Sequence, residues 1–163
     1  MVKKYSVFEI FQLAEKIERN GVDFYRKAAG MFSDAKMKGV LLQLADWEVE
    51  HERHFREMRR EYVREMNEMV EFNPAAVVTE NPQAIDGLSL LVIRPNKALE
   101  LTGKEDKGEM LEKALAIEQE TVRFYEELER SVRDLGGKYE TGKNIAEEKR
   151  HIKTIERLLN RGA

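Results

Sequence analysis

The chain predicts an all-α fold: a four-helix bundle of two antiparallel helical hairpins joined by a long crossover. Three observations predict it. All three prolines, Pro74, Pro82 and Pro95, fall in one central stretch, so both flanks are free of the residue that most reliably breaks helices. Apolar residues in both flanks recur every three to four positions, the period of an amphipathic helix. The flanks also repeat one another at a fixed step of 100 residues. At 163 residues the chain is long enough for one packed core, and a single domain over 1–163 is expected.

The first helix is expected from Ser6, where Ser6-Val-Phe-Glu9 has the capping-box pattern. Phe8, Phe11, Ala14, Ile17, Val22 and Tyr25 carry its stripe to about Gly30. The second runs from near Asp34 to about Met69, with Leu41, Leu44, Ala45, Val49, Phe55, Met58, Tyr62 and Met66 facing inward. Residues 72–104 hold the prolines and read as the crossover. Their apolar run Leu88-Ser-Leu-Leu-Val-Ile93 suits either a cover over the bundle or a dimer contact. Thr102-Gly-Lys-Glu105 reads as a second capping box opening the third helix, which is expected to end before Gly136-Gly137. The fourth is expected from about Tyr139 to Leu159.

Composition narrows the chemistry. A formal net charge of −3 with 36% charged residues describes a solvated surface of mixed sign, not a nucleic-acid footprint. The absence of cysteine excludes disulfides, zinc–cysteine sites and iron–sulfur clusters. No apolar run is long enough to span a membrane, and the N-terminus has no export signal, so a cytoplasmic location is expected.

The repeat carries the site. Glu48-Val-Glu-His51 returns as Glu148-Lys-Arg-His151, and the same step joins Glu18 to Glu118. Ala14, Ile17, Val22, Phe24 and Tyr25 likewise meet Ala114, Ile117, Val122, Phe124 and Tyr125 without a gap. A Glu and a His three apart share one helix face. In an antiparallel hairpin, residues equidistant from the turn lie at one height. The midpoint of Glu18 and Glu48 is residue 33, within the expected turn Gly30–Asp34. The midpoint of Glu118 and Glu148 is residue 133, about 5 Å short of a turn at Gly136-Gly137 at the α-helical rise per residue. Each of these Glu residues lies on an apolar stripe. Carboxylates facing a core are costly unless paired or metal-bound, and four of them balance two divalent cations. Glu18, Glu48, His51, Glu118, Glu148 and His151 are therefore read as the ligand set for two metal ions. Oxygen-rich ligation with one His per metal suits Fe or Mn, with Zn possible.

Tyr25 and Tyr125 lie two turns past Glu18 and Glu118. They read either as core tyrosines or as hydrogen-bond donors to ligand carboxylates. His54 reads as a rim or surface residue or as a partner behind the ligands, Asp46 as a surface residue or a partner orienting a ligand His, and Met58, Met66 and Met69 as core or interface filler.

Ile17-Glu18, Phe24-Tyr25, Leu44-Ala-Asp-Trp-Glu48-Val-Glu-His51, Ile117-Glu118, Phe124-Tyr125 and Glu147-Glu148-Lys-Arg-His151 together resemble the rubrerythrin-like branch of the ferritin-like superfamily, over essentially the whole chain except the crossover. The resemblance implies a carboxylate-bridged centre of two Fe ions that reacts with peroxide or dioxygen. Glu48 and Glu148 would bridge the metals, Glu18 and Glu118 would be terminal, and His51 and His151 would cap one metal each. The chain lacks the rubredoxin cysteines of full-length rubrerythrins, which implies an external electron donor such as a rubredoxin-type protein. Where rubrerythrins carry an extra ligand Glu after the third-helix Glu, this chain has Thr121. A di-iron oxidoreductase, peroxidase- or oxidase-like, is the expected function. An iron-binding or ferroxidase protein without a dedicated substrate, and a non-enzymatic helical interaction protein with a vestigial site, are the alternatives. The resemblance also implies a homodimer.

Overall fold

The computed structural model describes residues 7–66, 100–131 and 135–161. Four helices make up the bundle: α1 (Val7–Ala29), α2 (Ala35–Met66), α3 (Lys107–Ser131) and α4 (Leu135–Asn160). No strand occurs among the described residues. Most of the crossover expected at 72–104, the 88–93 run, the capping box at Ser6 and the end of the second helix at Met69 lie outside the described residues.

Local chemistry sets the ends that can be seen. Asp34 caps α2: its Oδ1 accepts the Met37 N–H at 2.8 Å, filling one of the donors a helix start leaves free. Its Oδ2 accepts from Lys107 Nζ at 2.8 Å, tying the first turn to the start of α3. The start of α3 corrects the sequence reading. The reciprocal capping box is Asp106-x-x-Glu109, with Asp106 N–H donating to Glu109 at 2.9 Å and Glu109 N–H to Asp106 at 2.9 Å. The pattern at Thr102–Glu105 instead folds a tight turn before the helix. Glu105 accepts from the Thr102 and Gly103 N–H groups and from Lys113 Nζ. Gly103 sits at φ 81°, a conformation that favours glycine.

The second hairpin departs from expectation in a way that repairs its arithmetic. Gly136-Gly137 is not a turn, because α4 has already begun at Leu135. Residues 132–134 separate α3 from α4, and the midpoint of Glu118 and Glu148 falls at the middle one. The ~5 Å offset expected from the sequence is therefore absent. Glycine permits a turn without requiring one, and here both glycines are helical. Among the described glycines, Gly103 is the one with a positive φ.

Two apolar layers fill the bundle. One joins Phe11, Ala14 and Ile17 of α1 to Phe55 of α2, Val122 and Tyr125 of α3, and Ile145 of α4. The other joins Tyr25 and Ala28 of α1 to Leu41 and Leu44 of α2, Met110 and Leu111 of α3, and Ile155 of α4. Each layer pairs the turn end of one hairpin with the open end of the other, so α2 and α3 run parallel, as a long crossover requires. Leu41, Leu44 and Ile155 are fully buried, and each such side chain contributes about 1.5–3 kcal/mol. No helix among the described residues is long and apolar enough to cross a membrane.

Candidate metal centre

The six acidic and imidazole residues lie between the two apolar layers. Glu18 comes from α1, Glu48 and His51 from α2, Glu118 from α3, and Glu148 and His151 from α4. None is more than 6% exposed. Helical periodicity puts each carboxylate on an inward stripe. The hairpin geometry brings all four to one height.

They form two overlapping groups. One is Glu18, Glu48, His51 and Glu148; the other is Glu48, Glu118, Glu148 and His151. In each, the donor atoms lie within 4.8 Å of one another. His51 Nδ1 lies 3.0 Å from Glu148 Oε1, 3.5 Å from Glu18 Oε2 and 3.7 Å from Glu48 Oε2. His151 Nδ1 lies 2.9 Å from Glu148 Oε2, 3.5 Å from Glu118 Oε2 and 3.9 Å from Glu48 Oε1. Glu48 and Glu148 thus turn one oxygen toward each imidazole, the arrangement of a bridging carboxylate. Glu18 and Glu118 each serve one group, the arrangement of a terminal one.

The tyrosines cross between hairpins. The Tyr25 hydroxyl of α1 donates to Glu118 Oε1 of α3, and the Tyr125 hydroxyl of α3 donates to Glu18 Oε1 of α1. Both are fully buried. Both rings also belong to the apolar layers, so each tyrosine is at once a core residue and a donor to a buried carboxylate. Each terminal Glu is held by one oxygen and presents the other inward.

Three neighbours were less legible. Gly21 is one: a Cβ there would sit 3.2 Å from Glu48 Cγ and 3.4 Å from Glu48 Cδ, so the glycine gives that carboxylate room. Glu147 is another, its Oε2 lying 3.0 Å from His51 Nε2. Trp47 is the third, stacked on the His151 ring at 4.5 Å and 9°. Asp46, weighed as the residue that would orient a histidine, is exposed. His54 is half-buried beside Phe55 and outside both groups. Thr121 is buried, and its hydroxyl donates to the Ile117 carbonyl at 3.1 Å. Glu147 and His51 are 96 residues apart on different helices, a separation that follows no helical period.

Electrostatics shows how costly the cluster is without cations. Burial, and then the Glu148 carboxylate, push Glu118 up to about 8 and hold Glu48 well above the ordinary range. Burial would also raise Glu148, but His151 and His51 beside it hold it well below the ordinary range. Burial alone would lower His151; the facing carboxylates of Glu118 and Glu148 push it up to about 9. His51 is raised further by Glu148, Glu18 and Glu48 against the same burial effect. Burial and the adjacent carboxylates raise both tyrosines, which keeps them as proton donors.

Whether the residues suit a metal pair can be judged from atoms left over. Glu18 Oε2, both oxygens of Glu148, and Nδ1 of His51 and His151 are buried with no hydrogen-bond partner. Unsatisfied buried polar atoms are rare and expensive. Among the described residues six side-chain atoms are orphaned in this way; these five belong to the two groups and the sixth is Gln12 Oε1. Carboxylate oxygen and imidazole nitrogen are the donors that divalent iron, manganese or zinc takes. The residues fit a binuclear centre.

No family model and no curated protein matches the chain. Among solved structures, it is similar to a Thermotoga maritima protein, described provisionally as a ferritin-like diiron-carboxylate protein, with a TM-score of 0.67 over 100% of both chains at 20% identity. That likeness shows the ferritin-like fold.

Proposed function

We propose that this chain is a di-iron carboxylate protein that reduces peroxide or dioxygen with electrons from an external donor. The observation that carries the proposal is the pair of Glu₃His groups sharing Glu48 and Glu148. The description of the Thermotoga neighbour as a diiron-carboxylate protein points the same way. In this reading Glu48, Glu148, Glu18 and His51 hold one iron, and Glu48, Glu148, Glu118 and His151 the other. An iron pair supplies two electrons together, enough with two protons to convert one peroxide to two waters.

The chain's own residues perform the rest. Glu48 and Glu148 fix the separation of the two positions by facing both. The four carboxylates balance two divalent charges, so the centre enters the bundle without net charge. Tyr25 and Tyr125 hold the terminal carboxylates by one oxygen each, which keeps the other oxygen aimed inward. The apolar layers above and below limit water. Thr121 spends its hydroxyl on Ile117 and brings no further carboxylate, which supports a centre with one fixed ligand set. A chain without cysteine has no thiolate iron of its own to refill the centre. We assign that step to a rubredoxin-type donor, and the working form to a homodimer of a single domain over 1–163.

Anaerobic Fe²⁺ loading followed by rapid mixing tests this. Two irons per chain and fast peroxide or dioxygen consumption sustained by an added reductant are expected. Accumulation of ferric mineral would instead favour an iron-storing ferroxidase. Clearly fewer than two ions per chain would end the di-metal reading.

A further inference from the structure

The 100-residue step that relates the ligands also relates position 47 to position 147, but the residues there are Trp47 and Glu147. They contact the two imidazoles crosswise. Glu147 of α4 reaches His51 of α2, with 3.0 Å between Oε2 and Nε2. Trp47 of α2 lies flat on His151 of α4. The inner groups are matched, each with three carboxylates and one imidazole. What surrounds the two imidazoles is not.

We infer that the two metal positions are inequivalent, with the His51 position binding its divalent cation first and more tightly, Glu147 acting as its positioning residue, and the Trp47-covered His151 position filling second. The inference rests on the di-metal reading above. A carboxylate at Nε2 fixes the ring proton there and leaves the Nδ1 lone pair facing Glu18, Glu48 and Glu148. It also makes the ring a better donor and adds a fourth negative charge beside that position. Arg150 lies 4.0 Å from the other Glu147 oxygen, but it is 73% exposed and offsets that charge weakly. At His151 the neighbour is an indole face. It buries and orients the ring without accepting a proton or adding charge. The His51 and His151 rings are themselves stacked at 5.2 Å and 12°, so the tryptophan, the two imidazoles and the carboxylate form one continuous row.

Trp47 is the chain's one tryptophan, which makes it a built-in reporter for the second position. The metal-free full chain is titrated with Zn²⁺, which is closed-shell and stable in air, by calorimetry and by Trp47 emission. Two ions per chain are expected in two steps, the first tighter by about tenfold or more, with the emission change following the second. Glu147→Ala is expected to weaken the first step by about 10–100-fold and leave the second in place. Glu147→Gln, which keeps an acceptor but not the charge, should fall between. Glu147 is 45% exposed, so helix content by circular dichroism should not change. Two ions binding in equal steps, emission tracking the first equivalent, or Glu147→Ala weakening the second step would overturn the inference while leaving the binuclear centre intact. Fewer than two bound ions would overturn the di-metal reading itself.

Discussion

The two hairpins carry the same Glu, Glu-x-x-His triplet each, in surroundings that have diverged. In the first, Leu41 and Leu44 back the ligand layer toward the turn, and Gly21 lies under Glu48. The equivalent residues of the second, 100 positions on, are Thr141, Asn144 and Thr121, all buried and polar. Around the imidazoles, Trp47 answers Glu147. A ligand atom must sit where a cation can use it, to within tenths of an ångström, so those positions repeat. The residues behind it need only fill space or find a hydrogen bond, and several solutions serve. The ligand layer is therefore nearly symmetric inside a scaffold that is not.

The sharpest break should come from the shared carboxylates. Glu148 faces both imidazoles, so Glu148→Gln is expected to reduce metal content from two ions per chain toward none. Glu118→Gln, which removes a residue from one group only, should leave about one. Elemental analysis after Fe²⁺ loading distinguishes them; equal losses would mean that Glu148 does not bridge. Without metal, the same Glu148→Gln chain keeps its fold, which circular dichroism can confirm.

The tyrosine pair tests the symmetry more finely. Tyr25→Phe and Tyr125→Phe each leave a buried carboxylate oxygen without its donor, at a cost of about 1–3 kcal/mol. Because the two bonds are related by the repeat, the losses in chemical denaturation should agree closely. A large effect at one tyrosine and none at the other would show that the pseudosymmetry stops at the ligands.

Gly21→Ala should separate stability from binding. Alanine favours a helix interior over glycine by about 1 kcal/mol, yet its methyl would press on Glu48 at 3.2 Å. The expected result is stability within about 1 kcal/mol of the parent and weaker Fe²⁺ binding. Thr121→Ala, at the equivalent place of the second hairpin, should leave binding nearly unchanged. Unaltered affinity in Gly21→Ala would show that Glu48 has slack.

The smallest effect lies at the start of α3. Lys113 and the Thr102 backbone hold Glu105 well below the ordinary carboxylate range. A carboxyl with a depressed folded pKa contributes stability that is complete above its unfolded pKa, about 4.3, and is lost as pH falls toward the folded value. Glu105→Gln should therefore narrow its deficit against the parent as pH drops below about 4. A deficit constant with pH would assign Glu105 a purely geometric role.

The helices and the site were legible for different reasons. Apolar stripes exposed α1 and α2 because a helix face is a local, periodic property. Capping was legible in kind but misplaced at α3. Thr102–Glu105 and Asp106–Glu109 both have the pattern, and only the latter meets helical backbone. The glycine pair at 136–137 misled because glycine permits a turn without requiring one. Glu147 escaped notice because its partner is 96 residues away on another helix.

By itself, the sequence determined four helical segments and a repeated Glu, Glu-x-x-His pattern whose arithmetic levels Glu18 with Glu48 but leaves Glu118 and Glu148 out of step until the true start of α4 is known. Periodicity is a function of residue number alone, and hairpin register follows from residue number once the turn is placed. Tertiary structure decided which oxygen of Glu48 and Glu148 faces which imidazole, that each tyrosine serves the opposite hairpin, and that Trp47 and Glu147 make the two halves unlike. Those contacts depend on how the hairpins dock, and docking is set by packing across helices rather than by spacing along any one of them.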